Sequence, residues 1–225
     1  MTEEEFLAQY DSSRFEKPSL AVDPVLFTIL DGKLQVLLIT REEHPCMGQL
    51  SLPGVFVRMN ETLDEAAARA LTQKTGLEDI FLEQLYTWGT LDRDPRMRII
   101  SVSYFALIPS ERLTLPEDGT ARFYPVEEIL SMTEGMAFDH QQIVAYGRER
   151  IRSKVNWSDI AFALVPEEFT LPQLQRVYEI LLGQPLYKAN FRKKIAEKIQ
   201  ETDKMTSGDA HRPSRIYRKR EEDIT

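Results

Sequence analysis

The sequence predicts an α/β (α+β) domain, a mixed sheet flanked by helices, followed by a small C-terminal winged helix-turn-helix unit. Three observations carry this. The 225 residues exceed the ~150 of an ordinary single domain, so one large unit and one small one fit the length. Strand-like and helix-period segments alternate as far as Lys154, whereas the remainder reads helix, turn, helix, hairpin. Charge changes with the pattern: residues 1–150 carry 14 Lys+Arg against 25 Asp+Glu, and residues 151–225 carry 14 against 11.

After a polar leader, Ser19 to Leu30 is rich in Val, Leu and Phe, the pair Asp31-Gly32 reads as a turn, and Leu34 to Thr40 is apolar apart from Gln35, giving a β-hairpin. Residues 55–57 suggest a short strand. Thr62 to Lys74 places Leu63, Ala66, Ala67, Ala70 and Leu71 at helical spacing, with Gly76 as the stop. Ile80 to Gly89 and Ile99 to Ile108 read as strands separated by the charged, proline-containing loop Asp92 to Arg98. Phe123 to Pro125 is a further short strand, Val126 to Met132 a short helix and Asp139 to Lys154 a longer amphipathic one. Thr170 caps a helix to Leu182 with Pro172 in its first turn, Gly183 closes it, and a second helix is expected from Lys188 to about Glu201. Residues 214–219 then form part of a hairpin, with an uncertain register because 202–210 carry no pattern. No internal repeat is present.

Composition excludes several classes. With 42% hydrophobic and 28% charged residues, the chain is that of a folded globular protein. Apolar runs such as Pro24 to Leu30 are far shorter than the ~20 residues of a membrane span. The acidic start Met1-Thr-Glu-Glu-Glu-Phe6 is unlike a signal peptide, and the single Cys46 cannot form an internal disulfide, so a cytoplasmic location is expected. His44, His140 and His211 share no metal-ligand spacing with one another or with Cys46. They are taken as ordinary surface or core histidines, and Cys46 as small packing material. Tyr86, Trp88 and Tyr104 read first as core residues. Residues 183–220 hold 11 basic and 4 acidic side chains interleaved with Tyr187, Phe191 and Tyr217, which makes nucleic acid the leading partner for the tail rather than solvent alone.

The segment Pro53-Gly-Val-Phe-Val-Arg-Met-Asn-Glu61, continued by Arg69, Leu71 and Gly76-Leu77, resembles the Nudix box. Val55 stands where that pattern has its first Gly, and Ala70, Gln73 and Lys74 occupy the three positions where it places glutamates. Those carboxylates would hold Mg²⁺ against substrate phosphates. A lysine ammonium ~4 Å from a divalent ion instead repels it by about 8 kcal/mol at an effective dielectric of 20. Glu61, Asp64 and Glu65 remain, and are read as solvating and capping the start of the helix. No catalytic residue, no metal site and no required cofactor are therefore expected, Mg²⁺ entering only if hydrolase activity persists. The resemblance gathers Arg41, Arg58, Arg69, Arg93, Arg96 and Arg98 around a ligand, with Glu61 and the loop residue Asp92 in the same set. Guanidinium forks suit phosphate, and Phe56 and Trp88 are candidates to stack an adenine. For any one of these arginines the competing reading is an ion pair with a neighbouring aspartate.

Phe169 to Glu179, Gly183 to Lys194 and His211 to Arg218 look like the winged helix of Nudix-related transcriptional regulators, typified by repressors of NAD metabolism, so the resemblance covers nearly the whole chain. It implies a ligand-sensing domain over 1–155 and a winged-helix DNA-binding domain over 156–225. The implied partners are an effector such as ADP-ribose and double-stranded operator DNA bound by a homodimer. Sugar-responsive members also exist. Lys188, Asn190, Arg192 and Lys193 would enter the major groove, Phe191, Ile195 and Ile199 would pack on the preceding helix, and Arg212, Arg215 and Arg218 would grip phosphate or minor groove. Two rivals stand beside this reading. One is an active MutT/Nudix-type hydrolase of nucleoside diphosphate derivatives, against which the missing carboxylates speak. The other is a Nudix-fold scaffold without DNA function, against which the basic aromatic tail speaks.

Overall fold

The computed structural model describes residues 1–78, 80–113, 115, 119–206 and 213–220. Within the leader a short helix, α1 (Glu3–Gln9), begins at Thr2, whose side chain accepts from the Glu5 amide. The hairpin comes next as β1 (Ser19–Leu30) and β2 (Lys33–Thr40). Asp31 (φ 51°) and Gly32 (φ 70°) both adopt the left-handed region that a two-residue hairpin turn demands. The short strands β3 (Leu50–Ser51) and β4 (Val55–Phe56) lead to α2 (Leu63–Thr75). Thr62 and Glu65 cap α2 reciprocally, and Gly76 ends it at φ 66°. Then come β5 (Glu83–Trp88), β6 (Ile99–Leu107), β7 (Ala121–Pro125), α3 (Val126–Ser131) and α4 (His140–Lys154).

These strands form a seven-stranded mixed sheet in the order β3-β2-β1-β6-β5, with β4 pairing β1 and β7 pairing β2. The central β1 and β6 run parallel from Ser19 opposite Ile99 to Phe27 opposite Leu107. One face of the sheet receives α2, whose Ala66 and Ala67 pack with Val22 and whose Leu71 packs with Leu26 and Leu37, while Ala70 is also buried. The other receives α3 and α4. Gly147 brings α4 so close to β1 that a Cβ there would lie 3.1 Å from the Phe27 ring.

Beyond α4 the chain makes a 3₁₀ turn at Ile160–Leu164, then β8 (Glu168–Thr170), α5 (Leu171–Leu182), α6 (Lys188–Ile195), β9 (Ile199–Met205) and β10 (Arg215–Lys219). The last three strands form a separate sheet, β8-β10-β9. Thr170 caps α5 with Gln173, and Gly183 ends it at φ 69°, where the sequence places both signals. The second helix does not reach Glu201. A 3₁₀ turn at Ala196–Lys198 closes it, and Ile199 opens β9, pairing with Lys219. Ile199 lies at helical spacing from Phe191 and Ile195 and is buried with them, but its backbone satisfies the sheet, so tertiary pairing overrides the helical period. The wing also has a third strand, β8, too short for its three residues to show an alternating pattern in the sequence. The two units share one apolar cluster: Phe27, Leu85, Phe105, Ile151 and Val155 of the first pack with Ala161, Leu164, Phe169 and Leu174 of the second.

Candidate functional site

A cleft of roughly 220 Å³ opens at one end of the large sheet, where β1, β3, β4 and the loop before β6 meet the start of α4. Its floor is a buried ionic network. Asp23, in the middle of the apolar strand β1, accepts a short hydrogen bond from Ser101 Oγ and lies 3.4 Å from Arg93 Nη2. Arg93 also donates to both oxygens of Asp139, at 3.0 and 2.7 Å, in a bidentate fork. His140 completes it. Its Nδ1 accepts from the Leu52 amide at 3.0 Å, so the ring proton sits on Nε2, 3.6 Å from Asp23 Oδ1. Burial holds this imidazole's pKa below its ordinary value, and it is neutral near pH 7. Gly54 closes the floor, since a Cβ there would overlap Asp23 Oδ1.

The walls differ in character from the floor. The Arg41 guanidinium lies 4.9 Å from the centre of the Phe138 ring while donating to the Pro45 carbonyl at 2.8 Å. Arg96 sits between Phe138, at 6.0 Å, and Phe56, at 5.8 Å. Phe56 is 45% exposed, leaving much of its ring surface available. Phe138 holds φ 53°, an unusual backbone for an aromatic residue, which the pairing of Ala137 N with the Leu50 carbonyl helps to fix. Ser51 lines the same cleft, and its buried hydroxyl finds no hydrogen-bond partner among the described residues.

The arginines singled out in the sequence therefore fall into different roles. Arg41, Arg93, Arg96 and Phe56 line the cleft. Arg93 is nevertheless engaged by Asp23 and Asp139 through Nε and Nη2, and Arg96 is forked onto Asp94 at 3.0 and 2.8 Å. Arg69 is forked onto Glu61 at 2.9 and 2.6 Å and also donates to the Phe56 carbonyl, tying α2 to β4. Arg58 is exposed and its amide donates to Glu61. Arg98 donates to the Thr90 carbonyl at 2.8 Å, and Asp92 is exposed. Trp88 donates to Ser103 Oγ and joins Tyr86 and Tyr146 in a surface aromatic cluster. Of the three aromatics read as core, Tyr104 is buried, whereas Tyr86 is half exposed. His140 is a core histidine, one of the two placements the sequence allows, and it lines the cleft.

The residues present do not fit a Mg²⁺ site of the glutamate-rich kind. Ala70 is buried, Gln73 is exposed, and Lys74 carries the wrong charge. The acidic groups that remain are engaged: Glu61 by Arg69, Asp64 by the Tyr104 hydroxyl at 2.6 Å, and Glu65 by the Thr62 amide at 2.7 Å. The Arg69 fork draws the Glu61 pKa down to about 2. No group of three or more His, Cys, Asp or Glu side chains among the described residues is placed to hold a metal ion.

The second face belongs to the C-terminal unit. Lys188, Asn190, Arg192 and Lys193 are exposed on α6 and make no ion pair with any described residue, while Phe191 and Ile195 turn inward, Phe191 against Tyr178 at 5.3 Å. On the wing, Arg215 pairs with Glu201 and Arg218 with Glu168. Arg212 lies outside the described residues. No helix among the described residues is long and apolar enough to cross a membrane.

Comparison with known proteins places these two faces in context. A model of the NUDIX domain matches residues 21–146, and a model of the NrtR DNA-binding winged helix domain matches residues 161–218. The ADPR responsive transcriptional repressor NtrR of Acinetobacter baylyi is 34% identical over 223 residues, covering 96% of this chain and 88% of its own. Shewanella oneidensis NrtR, solved in complex with a 27mer DNA, superposes with a TM-score of 0.80 at 36% identity, over 89% of this chain and 93% of its own. The NUDIX domain of that protein, solved in complex with ADP ribose, superposes with a TM-score of 0.59 at 38% identity, over 67% of this chain and 99% of its own.

Proposed function

This chain belongs to the NrtR family, a Nudix fold joined to a DNA-binding winged helix, and we propose that it is a transcriptional repressor whose Nudix domain binds ADP-ribose and whose winged helix binds operator DNA. The observation that carries the reading is the contrast between two neighbouring sites. The box helix has spent its remaining carboxylates on internal contacts, while the adjacent cleft keeps guanidinium groups over aromatic rings and an orphan hydroxyl at its floor. That is a place to hold a phosphorylated nucleoside, not to cleave it. In this reading Arg41, Arg96 and Phe56 meet the ligand, and Arg58 and Arg98 serve an extended one. Arg93 organises the floor, and Glu61, Arg69, Asp92 and Trp88 shape the surroundings.

We place the division between the domains at 155/156, the molecule in the cytoplasm, and two copies on a roughly palindromic operator with α6 in the major groove. No metal is required. A thermal-shift panel of ADP-ribose, NAD, nucleotides and pentoses tests the effector, because a ligand that binds only the folded state raises stability with its concentration. ADP-ribose should stabilise the chain and release it from DNA. Stabilisation by an uncharged pentose and not by ADP-ribose would move the protein to a sugar-responsive role. Mg²⁺-dependent cleavage of ADP-ribose above ~1 s⁻¹ would make it a hydrolase.

A further inference from the structure

We propose that α4 and the turn at its C-terminus carry the state of the cleft to the winged helix, with Asn156 and Asp159 as positioning residues for the DNA-binding surface. This rests on the reading of the cleft as an effector site. One rigid element has its two ends in the two places that must communicate. At its N-terminus, Asp139 and His140 are part of the cleft floor, held by Arg93 and by the Leu52 amide. Its 15 residues then span about 22 Å along the sheet.

The far end is locked to the turn beyond it. The Trp157 amide (3.1 Å), the Ser158 amide (2.9 Å) and the Ser158 hydroxyl (2.8 Å) all donate to the Lys154 carbonyl, so the turn must move with the helix end. That turn grips the winged helix at three lysines. Asn156 Oδ1 accepts from Lys194 Nζ at 3.5 Å, and the two oxygens of Asp159 accept from Lys198 at 2.7 Å and Lys219 at 2.9 Å. Lys194 is in the last turn of α6, Lys198 joins α6 to β9, and Lys219 ends β10. The Lys198 carbonyl also accepts from the Arg220 amide at 2.9 Å, closing the neck between helix and wing.

The basic side chains of this unit thus play different parts: Lys194, Lys198 and Lys219 at the neck are bound to the turn, Lys204, Arg215 and Arg218 pair within the wing, and Lys188, Arg192 and Lys193 make no ion pair with a described residue. Beside the shared apolar cluster the joint holds a pocket of roughly 580 Å³, lined by Phe105 to Leu107 of β6, by Ser158, Asp159, Ile160, Phe162 and Ala163, and by Lys219. A ligand that repositions Asp139 and His140 differently in two states of α4 therefore biases the pose of α6 and the wing.

The test uses the full-length chain, a duplex selected in vitro with the wild type in the absence of ligand, and ADP-ribose. Fluorescence anisotropy gives the DNA Kd with and without saturating ADP-ribose. In the wild type the two should differ by a factor in the range of about 5 to 150. Asp159→Asn should move this ratio at least threefold toward unity, Asp159→Glu should restore most of it, and calorimetric affinity for ADP-ribose should stay within twofold of wild type in both. Asn156→Ala provides a milder variant should Asp159→Asn fail a thermal unfolding check. A responsive wild type with equally responsive Asp159→Asn and Asn156→Ala variants overturns the relay alone. A wild type that binds the duplex identically with and without ADP-ribose overturns the effector reading and the relay with it.

Discussion

Arg93 and Arg96 lie three positions apart in one loop, and truncating each to alanine should have opposite consequences. Arg93 is 5% exposed and links Asp23, 6% exposed, to Asp139, 12% exposed. Removing the guanidinium strands two carboxylates in the cleft floor, and breaking a buried ion pair from one side costs about 3–5 kcal/mol. For a chain of this size that is a fall in Tm of about 6 to 20 °C. Arg96, 39% exposed, shares a surface fork with Asp94, and its loss costs at most about 1 kcal/mol. The pH dependence sharpens the distinction. In the wild type His140 titrates below its ordinary value, so the unfolded state binds more protons and stability falls as pH drops below 6.5. Arg93 is one of the groups that lowers the His140 pKa, while Asp23 and Asp139 raise it, so without Arg93 the folded pKa moves up. Protonating His140 then costs less in the variant than in the wild type, a difference that grows as pH falls through the imidazole range and vanishes at high pH. The deficit of Arg93→Ala should therefore be smaller at pH 5.5 than at pH 8, measured as urea midpoints. Arg96→Ala should unfold like the wild type yet bind ADP-ribose more weakly by calorimetry. An Arg93→Ala variant within 1 kcal/mol of wild type at pH 8 would refute the view of the floor as a closed ionic network.

Three further outcomes are expected. Gly54→Ala should displace Asp23, because its Cβ would overlap Oδ1, and should lower both Tm and ADP-ribose affinity; an unchanged thermal scan would show that the backbone yields instead. Glu61, depressed to about 2 by Arg69, contributes stability above its ordinary 4.5 that is lost as pH falls toward 2, so Glu61→Gln should flatten the acid limb of a pH-stability curve and leave pH 7 to 8 parallel to wild type. On DNA, Arg192→Ala should reduce the slope of log affinity against log salt by about 0.9, whereas Asn190→Ala should change sequence preference at constant slope; identical slopes for wild type and Arg192→Ala would remove α6 from the phosphate backbone.

Most of the fold could be read from short-range signals, because those signals act within a few residues. Asp31-Gly32 supplies the paired left-handed conformations of a hairpin, Thr62 with Gly76 bounds α2, and Thr170 with Gly183 bounds α5. The missed boundary is instructive: Ile199 satisfies a helical period in sequence, but its partner Lys219 lies across the wing, and no local rule weighs a helical bond against that ladder. The site was harder for the same reason. Arg93 and Asp23 are 70 residues apart, and His140 and Leu52 are 88 apart, so no spacing could join them. One signal was available. Asp23 is a carboxylate inside an apolar strand, and burying such a charge is tolerable only if the fold brings it a cation or donors. Arginine enrichment pointed to loops that line the cleft but could not separate Arg93 from Arg96, since a buried guanidinium tied to two aspartates and a part-exposed one tied to a single neighbour are identical in sequence. The difference lies in whether a second aspartate arrives from the start of α4. That aspartate, Asp139, ties the cleft floor to the one helix whose far end leads into the turn holding three lysines of the winged helix, which is why the feature least visible in the sequence is the one through which sensing and DNA binding meet.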